Sequence, residues 1–555
     1  MAKLVAGVDF GSDAVRVVMV QVRDGKTMAA AAAAYPRWQQ KRYCDAKRNI
    51  FRQHPLDYIE SLENAFSAAM AQLTAEQRQN VVGIGVDTTG STPCPVDENG
   101  TALACLPAFS ENPNAMFYLW KDHSATEEAK EVNQGLSSGD VDYTRFQGAY
   151  SSEWYWAKIL HGARNDAAVK EAAYTWVEHC DWMIGLLTGT CRPKELYRNA
   201  SASGHKALWH SSFSGLPSQE CLASIDPYLA QVARHYGRAP QTADTAVGTI
   251  SPEWAKKLGV SEDVVISGGS LDAHAGAVGA GIGKGTMVKV LGTSAVDMQV
   301  IRMDETPKQN LRPYCGMAEN SILPGYVGVE AGQAAFGDIF SWFRTMLLWP
   351  LETMQFSSID ETQKENLKNE LQEGLLAEWG RQLQSHMPDA KLISLDWFNG
   401  RRYPYLNEEA RGAIAGLSLG STALEIYASL VKAAIFGSRR MFECYTQHGL
   451  QIDKIIVVGG IAKKAPYVIQ MLANHLQRPV MVCKAEEVCA RGAAMYAAVA
   501  CGAYENIENA QMVFCEDFVA DFVPQQNPHD EDEYQQYLRL AKQMDPTSAN
   551  DISLV

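Results

Sequence analysis

The sequence lacks the short signatures that mark the commonest nucleotide and metal enzymes. It has no G-x-x-x-x-G-K-[ST], no H-E-x-x-H, and no clean G-x-G-x-x-G following a strand, so a P-loop ATPase, a zinc protease and a dinucleotide dehydrogenase all lose support. Its 12 cysteines are scattered with no C-x-x-C pair. That argues against a structural zinc site or a disulfide framework and predicts reduced thiols, as in a cytoplasm. Cys94 and Cys489 read as small core residues rather than nucleophiles. No apolar run is long enough to span a bilayer, and the alanine run 29–34 stops at Tyr35-Pro36. Positive charge is also in deficit: the net charge of −15 argues against nucleic acid or an anionic membrane as partner. The first ten residues carry no basic stretch ahead of an apolar core and read as a strand, not a signal peptide.

What is present is an ordinary globular composition, 46% hydrophobic and 20% charged, over 555 residues. A chain of that length exceeds one hydrophobic core, so two domains or more are expected. The start alternates strand and turn: Leu4 to Phe10 is apolar, Gly11-Ser12-Asp13 forms a turn, and Val15 to Val22 is rich in β-branched residues. Pro55 suits a first helical turn, and Ile59, Leu62, Phe66, Met70 and Leu73 follow at helical spacing. A further strand, Val81 to Val86, runs into Asp87-Thr88-Thr89-Gly90-Ser91. Mixed elements of this kind indicate an α/β architecture.

The chain also echoes itself. Gly11-Ser12-Asp13-Ala14-Val15 corresponds to Gly292-Thr293-Ser294-Ala295-Val296, each between two apolar strands. The strand ending at Val86 corresponds to Ile455 to Val458, which runs into Gly459-Gly460. Two copies of one plan predict two similar domains with a cleft between them, residues 1–281 and 282–555, joined through the glycine-rich stretch 279–285. Thr422 and Glu425 predict a capped helix that stops near Gly449. Gly416-Leu417-Ser418-Leu419-Gly420 fits G-x-S-x-G in letters, but with no clear strand before it and the helix delayed to Thr422 it reads as a turn, not a nucleophile elbow. The acidic run 530–533 after Asn527-Pro528 predicts the start of a surface helix.

Glycine admits a phosphate close to the backbone, and successive N–H groups with Ser or Thr hydroxyls can ring its oxygens. Gly11, Ser12 and Asp13, with Gly292, Thr293 and Ser294, suit a nucleotide clamped between the two half-chains. Asp9, ending the first strand, is the candidate for Mg²⁺ through water. Val264 to Asp272 reads as a buried strand, a Gly-Gly turn and a helix start. The helix dipole is expected to keep Asp272 ionised, able to orient a hydroxyl and accept its proton. A capping role for Asp272 is equally compatible with the local sequence.

Val8-Asp9-Phe10-Gly11-Ser12, Ser267-Gly268-Gly269-Ser270-Leu271-Asp272, Leu291-Gly292-Thr293-Ser294, Val457-Val458-Gly459-Gly460-Ile461-Ala462-Lys463 and Ala490-Arg491-Gly492-Ala493-Ala494 stand in the order seen in FGGY carbohydrate kinases, which the chain resembles over roughly residues 4 to 501. The resemblance implies two actin-like, ribonuclease-H-like ATPase domains closing over ATP and a sugar, with Asp272 as catalytic base and Mg²⁺ as cofactor. It places Gly459, Gly460 and Lys463 near the nucleotide, with Gln333 approaching it, and makes Trp120, Lys206 and Glu330 candidates for sugar contacts. Longer stretches, among them 83–93, 111–117, 120–123, 150–154, 204–206 and 396–402, resemble the branch that phosphorylates L-ribulose in L-arabinose breakdown. His123 stands where many family members carry an Arg, which weakens the case for glycerol or xylulose. The rival readings are a kinase for another ketopentose or polyol, and an Hsp70-like ATPase acting on a protein partner. A homodimer is the base-rate expectation for assembly.

Overall fold

The computed structural model describes residues 3–306, 311, 315–388, 391–515, 518–526 and 529–549. The first half builds β1 (Leu4–Phe10), β2 (Ala14–Gln21), β3 (Thr27–Ala34), α1 (Pro55–Ala71), β4 (Val81–Thr88), α2 (His179–Thr188), β5 (Val265–Leu271) and α3 (Asp272–Gly279). The second builds β6 (Thr286–Leu291), β7 (Ala295–Arg302), β8 (Tyr326–Gln333), α4 (Ala423–Gln447), β9 (Lys454–Val458), β10 (Val480–Cys483) and α5 (Val488–Ala500).

The two sheets share one topology. In space the first runs β3-β2-β1-β4-β5 and the second β8-β7-β6-β9-β10. In each the first three strands are antiparallel and the last two join in parallel. This is the ribonuclease-H-like order, twice. Both sequence echoes fall at equivalent places: Val8 pairs with Val86 as Val290 pairs with Val458. Short antiparallel strands add to the edges, Ala246–Thr249 on the first sheet, Gly316–Glu319 and Phe518–Phe522 on the second.

Alternation along the strands divides the core into three. Val8, Phe10, Ile84 and Val86 face outward onto α1 and α2; Leu291, Val329 and Val457 face outward onto α4. Between the sheets Val5, Val288 and Ile456 pack on α3 and α5. The helices cross here because their facing residues are small. A Cβ on Gly492 would lie 1.9 Å from the Ala275 carbonyl oxygen, and one on Gly85 1.9 Å from that of Ala493. The run 490–494 thus lets a helix of the second half lie directly on the first sheet. Gly85→Ala is expected to destabilise the protein by about 1–3 kcal/mol or more, since backbone must move to admit the methyl group; urea denaturation measures it.

Several local expectations hold. Thr422 and Glu425 form a capping box. Ser418 lies in an exposed turn with no helix directly after it, although a short strand, Ala413–Ala415, does precede it. The acidic run begins the helix Asp530–Met544, and its other face buries Tyr534, Tyr537 and Leu538 against Phe436 and Trp397. Asn527 and Pro528 lie outside the described residues. No helix of the described residues is long and apolar enough to cross a membrane.

Candidate active site

Three carboxylates meet at the carboxyl ends of the central strands of the first sheet. Asp9 on β1 and Asp87 on β4 are register partners, Ser270 on β5 pairs with Asp87, and Asp272 opens α3 two residues later. Because β1 and β4 alternate, both side chains turn away from the outer core toward α3 and α5. Burial raises Asp9 to about 6. Burial, then the neighbouring Asp9, raises Asp272 to about 7, although its Oδ1 accepts the Ala273 N–H at 2.6 Å. The expectation that the helix dipole keeps Asp272 ionised is therefore corrected: desolvation and a like charge outweigh a dipole effect of about 1 kcal/mol. Burial, with Asp9 and Asp272, pushes Asp87 well above the usual carboxylate range.

A folded-state pKa above the unfolded one favours folding at low pH and loses that advantage as pH rises through the folded value. The protein is expected to lose thermal stability as pH rises from about 4 through about 7 from these groups. Thermal melts across that range in the presence of chelator check this.

The sequence pattern ends this strand at Val86, but it extends to Thr88 and so carries Asp87 in register with Asp9. The signal was available, since Val86-Asp87 repeats the Val8-Asp9 that ends the first strand.

The first hairpin sits above these carboxylates. Gly11 N donates to Ala14 O at 3.1 Å, Tyr35 Oη to Gly11 O at 3.1 Å, and Gln53 Nε2 to Ser12 O at 2.7 Å. Arg16 lies 3.2 Å from Asp13 and 3.7 Å from both Asp9 and Glu487. In the second half Gly292 N donates to Ser294 O at 3.0 Å, and Thr293 O accepts from Phe336 N and Asp338 N. Gly292 and Thr293 are exposed. Gly459 has φ +102°, and a Cβ there would lie 2.4 Å from Leu291 O, so the turn requires glycine. Gly460 opens a short helix, Gly460–Lys464, and has open space where a side chain would be. Lys463 Nζ donates to Lys484 O at 3.2 Å and lines a groove of about 690 Å³ with Val18, Lys484, Glu487 and Arg491. Gln333 is placed differently from the rest. Its buried amide donates to Asp396 Oδ2 and Ala434 O and accepts from Ser438, so it ties β8 to α4.

A second cluster joins the two halves. Lys206 Nζ, on the first half, lies 3.0 Å from Glu330 Oε1 on β8, and His274 Nε2 lies 2.9 Å from Glu330 Oε2. Against the burial that would raise it, Lys206 and His274 hold Glu330 well below the usual range. Asp272 is within electrostatic reach of both Lys206 and Glu330, so these three predicted residues converge. Trp120 Nε1 donates to Ser12 Oγ at 2.9 Å, which links the predicted sugar contact to the first hairpin. Its approach is fixed by buried Lys158, whose ammonium donates to Ser91 O, Tyr118 O and Leu119 O. Burial lowers Lys158 to about 7.

Glu153 completes the wall. Its Oε1 lies 2.6 Å from Arg402 Nη2 of the second half and 3.2 Å from His123 Nε2. His274, Glu153 and Arg402 carried no assigned role at the sequence level. Nothing in local spacing links Glu153 to a residue 249 positions away.

A pair of duplicated sheets, with carboxylates at the strand ends of the first and glycine hairpins on both, suits the handling of a nucleotide's phosphates. The chain belongs to the FGGY family of carbohydrate kinases: the N-terminal-domain model matches residues 4–279 and the C-terminal-domain model residues 287–501. Among individual proteins it is 41% identical to the Ribulokinase of Vibrio parahaemolyticus over 92% of this chain and 90% of that protein. It is 31% identical to the Ribulokinase of Halalkalibacterium halodurans over 97% and 94% respectively. Solved structures share the fold: a xylulose kinase from Rhodospirillum rubrum (TM-score 0.76, 18% identity, 99% of this chain and 100% of that one) and a glycerol kinase from Plasmodium falciparum (0.76, 14%, 98% of each).

Proposed function

We propose that the protein phosphorylates L-ribulose on its 5-hydroxyl with ATP, giving L-ribulose 5-phosphate and ADP. The observation that carries this reading is 41% and 31% identity, over 92% and 97% of the chain, to proteins named Ribulokinase. In this reading residues 1–281 hold the sugar and phosphates, and residues 282–555 hold the nucleotide.

Lys206, Glu330 and Trp120 orient the sugar so that its 5-hydroxyl faces Asp272. As the hydroxyl oxygen bonds to the γ-phosphorus, the bond from phosphorus to the β–γ bridging oxygen breaks and its electron pair leaves with ADP. The hydroxyl proton passes to an Asp272 oxygen. Its transfer is late, because the nucleophile carries little positive charge in a loose transition state. Backbone N–H groups of the Gly11 and Gly292 hairpins offset phosphate charge. Asp9 and its buried neighbours suit a hard divalent cation, since oxygen donors without nitrogen or sulfur partners match Mg²⁺. When bound, Mg²⁺ neutralises charge on the transferring phosphoryl group. The Lys206–Glu330 and Arg402–Glu153 bridges draw the halves together around the sugar and exclude water, which competes as acceptor.

An ADP-coupled assay over L-ribulose, D-ribulose, xylulose, ribitol and glycerol tests the reading. The expected result is the greatest kcat/KM with L-ribulose. A greater value with another acceptor removes L-ribulose and leaves the kinase class standing.

A further inference from the structure

We propose that Asp87 joins Asp9 in seating a divalent cation on the first sheet, beneath the nucleotide. The inference rests on reading the protein as a Mg-ATP kinase, but its observations are separate from that reading. Asp9 and Asp87 are register partners on adjacent parallel strands, so their backbones lie about 4.8 Å apart and their side chains leave the same face. Asp87 is fully buried, and neither of its oxygens meets an N–H or hydroxyl donor among the described residues; its hydrogen-bonding neighbour is the Asp9 carboxyl group, so in the absence of a cation the pair must share a proton.

Other buried carboxylates of this half show how unusual that is. Glu178 accepts from Ser91 Oγ and Thr92 N, and Asp181 accepts from Asn199 N and lies 3.3 Å from Arg198. Asp87 instead faces two further acids, Asp9 and Asp272. Arg16 lies near Asp9 but is shared with Asp13 and Glu487, and no ion pair links it to Asp87. A carboxylate stripped of water without a donor is strongly destabilising unless a proton or a cation compensates it. Two carboxylates on neighbouring strands, at the strand ends from which the Gly11 hairpin departs, offer a hard cation two oxygen ligands and leave its other positions for water and phosphate. Asp272, on the helix rather than the strand pair, stays free to take the sugar's proton. The division of labour is thus Asp9 and Asp87 for the cation, Asp272 for the hydroxyl.

The test is a titration of metal-free protein with Mn²⁺ alone, without nucleotide or sugar, following free Mn²⁺ by electron paramagnetic resonance. Wild type is expected to bind one ion, and Asp9→Asn and Asp87→Asn each to weaken it by about tenfold or more. No binding by wild type, or Asp87→Asn affinity within about twofold of wild type while Asp9→Asn is impaired, overturns the proposal. Should Asp87→Asn fail to fold, anomalous diffraction from wild-type crystals holding Mn²⁺ decides the matter. A peak in direct or one-water contact with Asp87 supports it, and a peak remote from Asp87 overturns it. Neither measurement involves turnover, so failure of the kinase reading would show separately, as an absence of sugar phosphorylation by wild type.

Discussion

Asp272→Asn lowers kcat by about 10²–10⁴-fold, the usual contribution of a positioned general base, while the dissociation constant for ATP stays within about threefold. The asparagine is isosteric, keeps a carbonyl oxygen for the Ala273 N–H, and removes one negative charge from a crowded cluster. Folding is therefore preserved or improved, and a rate loss reports on chemistry. Isothermal titration with a non-hydrolysable ATP analogue and steady-state kinetics on L-ribulose separate the two effects. Near-normal turnover would remove Asp272 as the proton acceptor. Its pKa of about 7 in the free protein adds a check on sign. Activity needs the ionised form, so kcat/KM falls as pH drops through the operative pKa; bound Mg²⁺ favours the carboxylate and moves that limb to lower pH.

Lys206→Met is expected to lower kcat/KM for the sugar by about 10²-fold or more, with KM for ATP nearly unchanged. Truncating one partner of a buried, hydrogen-bonded charge pair costs about 2–5 kcal/mol, because the remaining charge is left without its counter-ion. Here that charge is Glu330, which His274 alone would then hold. The loss has two sources: a donor for a sugar hydroxyl, and a bridge between the halves. Lys206→Arg distinguishes them. An arginine retains the charge and some bridging while changing the donor geometry, so it restores stability to thermal unfolding but not sugar affinity. If Lys206→Met alters ATP and sugar kinetics equally, the residue acts only through domain closure.

Much of the fold was legible because it rests on short-range patterns. An apolar run marked β1, a stretch rich in β-branched residues marked β2, helical spacing with Pro55 marked α1, and Thr422 with Glu425 marked the start of α4. The two echoes, Gly11 with Gly292 and Val86 with Val458, foretold that one topology occurs twice. Strand ends were less legible. Reading β4 as closing at Val86 hid Asp87, since an aspartate after an apolar run looks like turn chemistry until its register partner is known. For Gln333 the resemblance suggests an approach to the nucleotide, while packing commits its amide to Asp396, Ala434 O and Ser438, a tie between β8 and α4 that local sequence does not show.

The sequence by itself determined two of the site's carboxylates, Asp9 and Asp272, and the phosphate-suited glycine turns. These are properties of a few adjacent residues, and local sterics and charge suffice to read them. Only the tertiary structure decided that Asp9, Asp87 and Asp272 share one desolvated pocket and that Lys206 meets Glu330. It also decided that Glu153 finds Arg402 across the cleft. A pKa raised by burial is a property of surroundings assembled from distant segments, so the dipole at a helix start, visible in sequence, gave the wrong sign for Asp272. The kinase chemistry begins in the strands, but the cleft that makes it possible exists only once the two halves pack around α3 and α5.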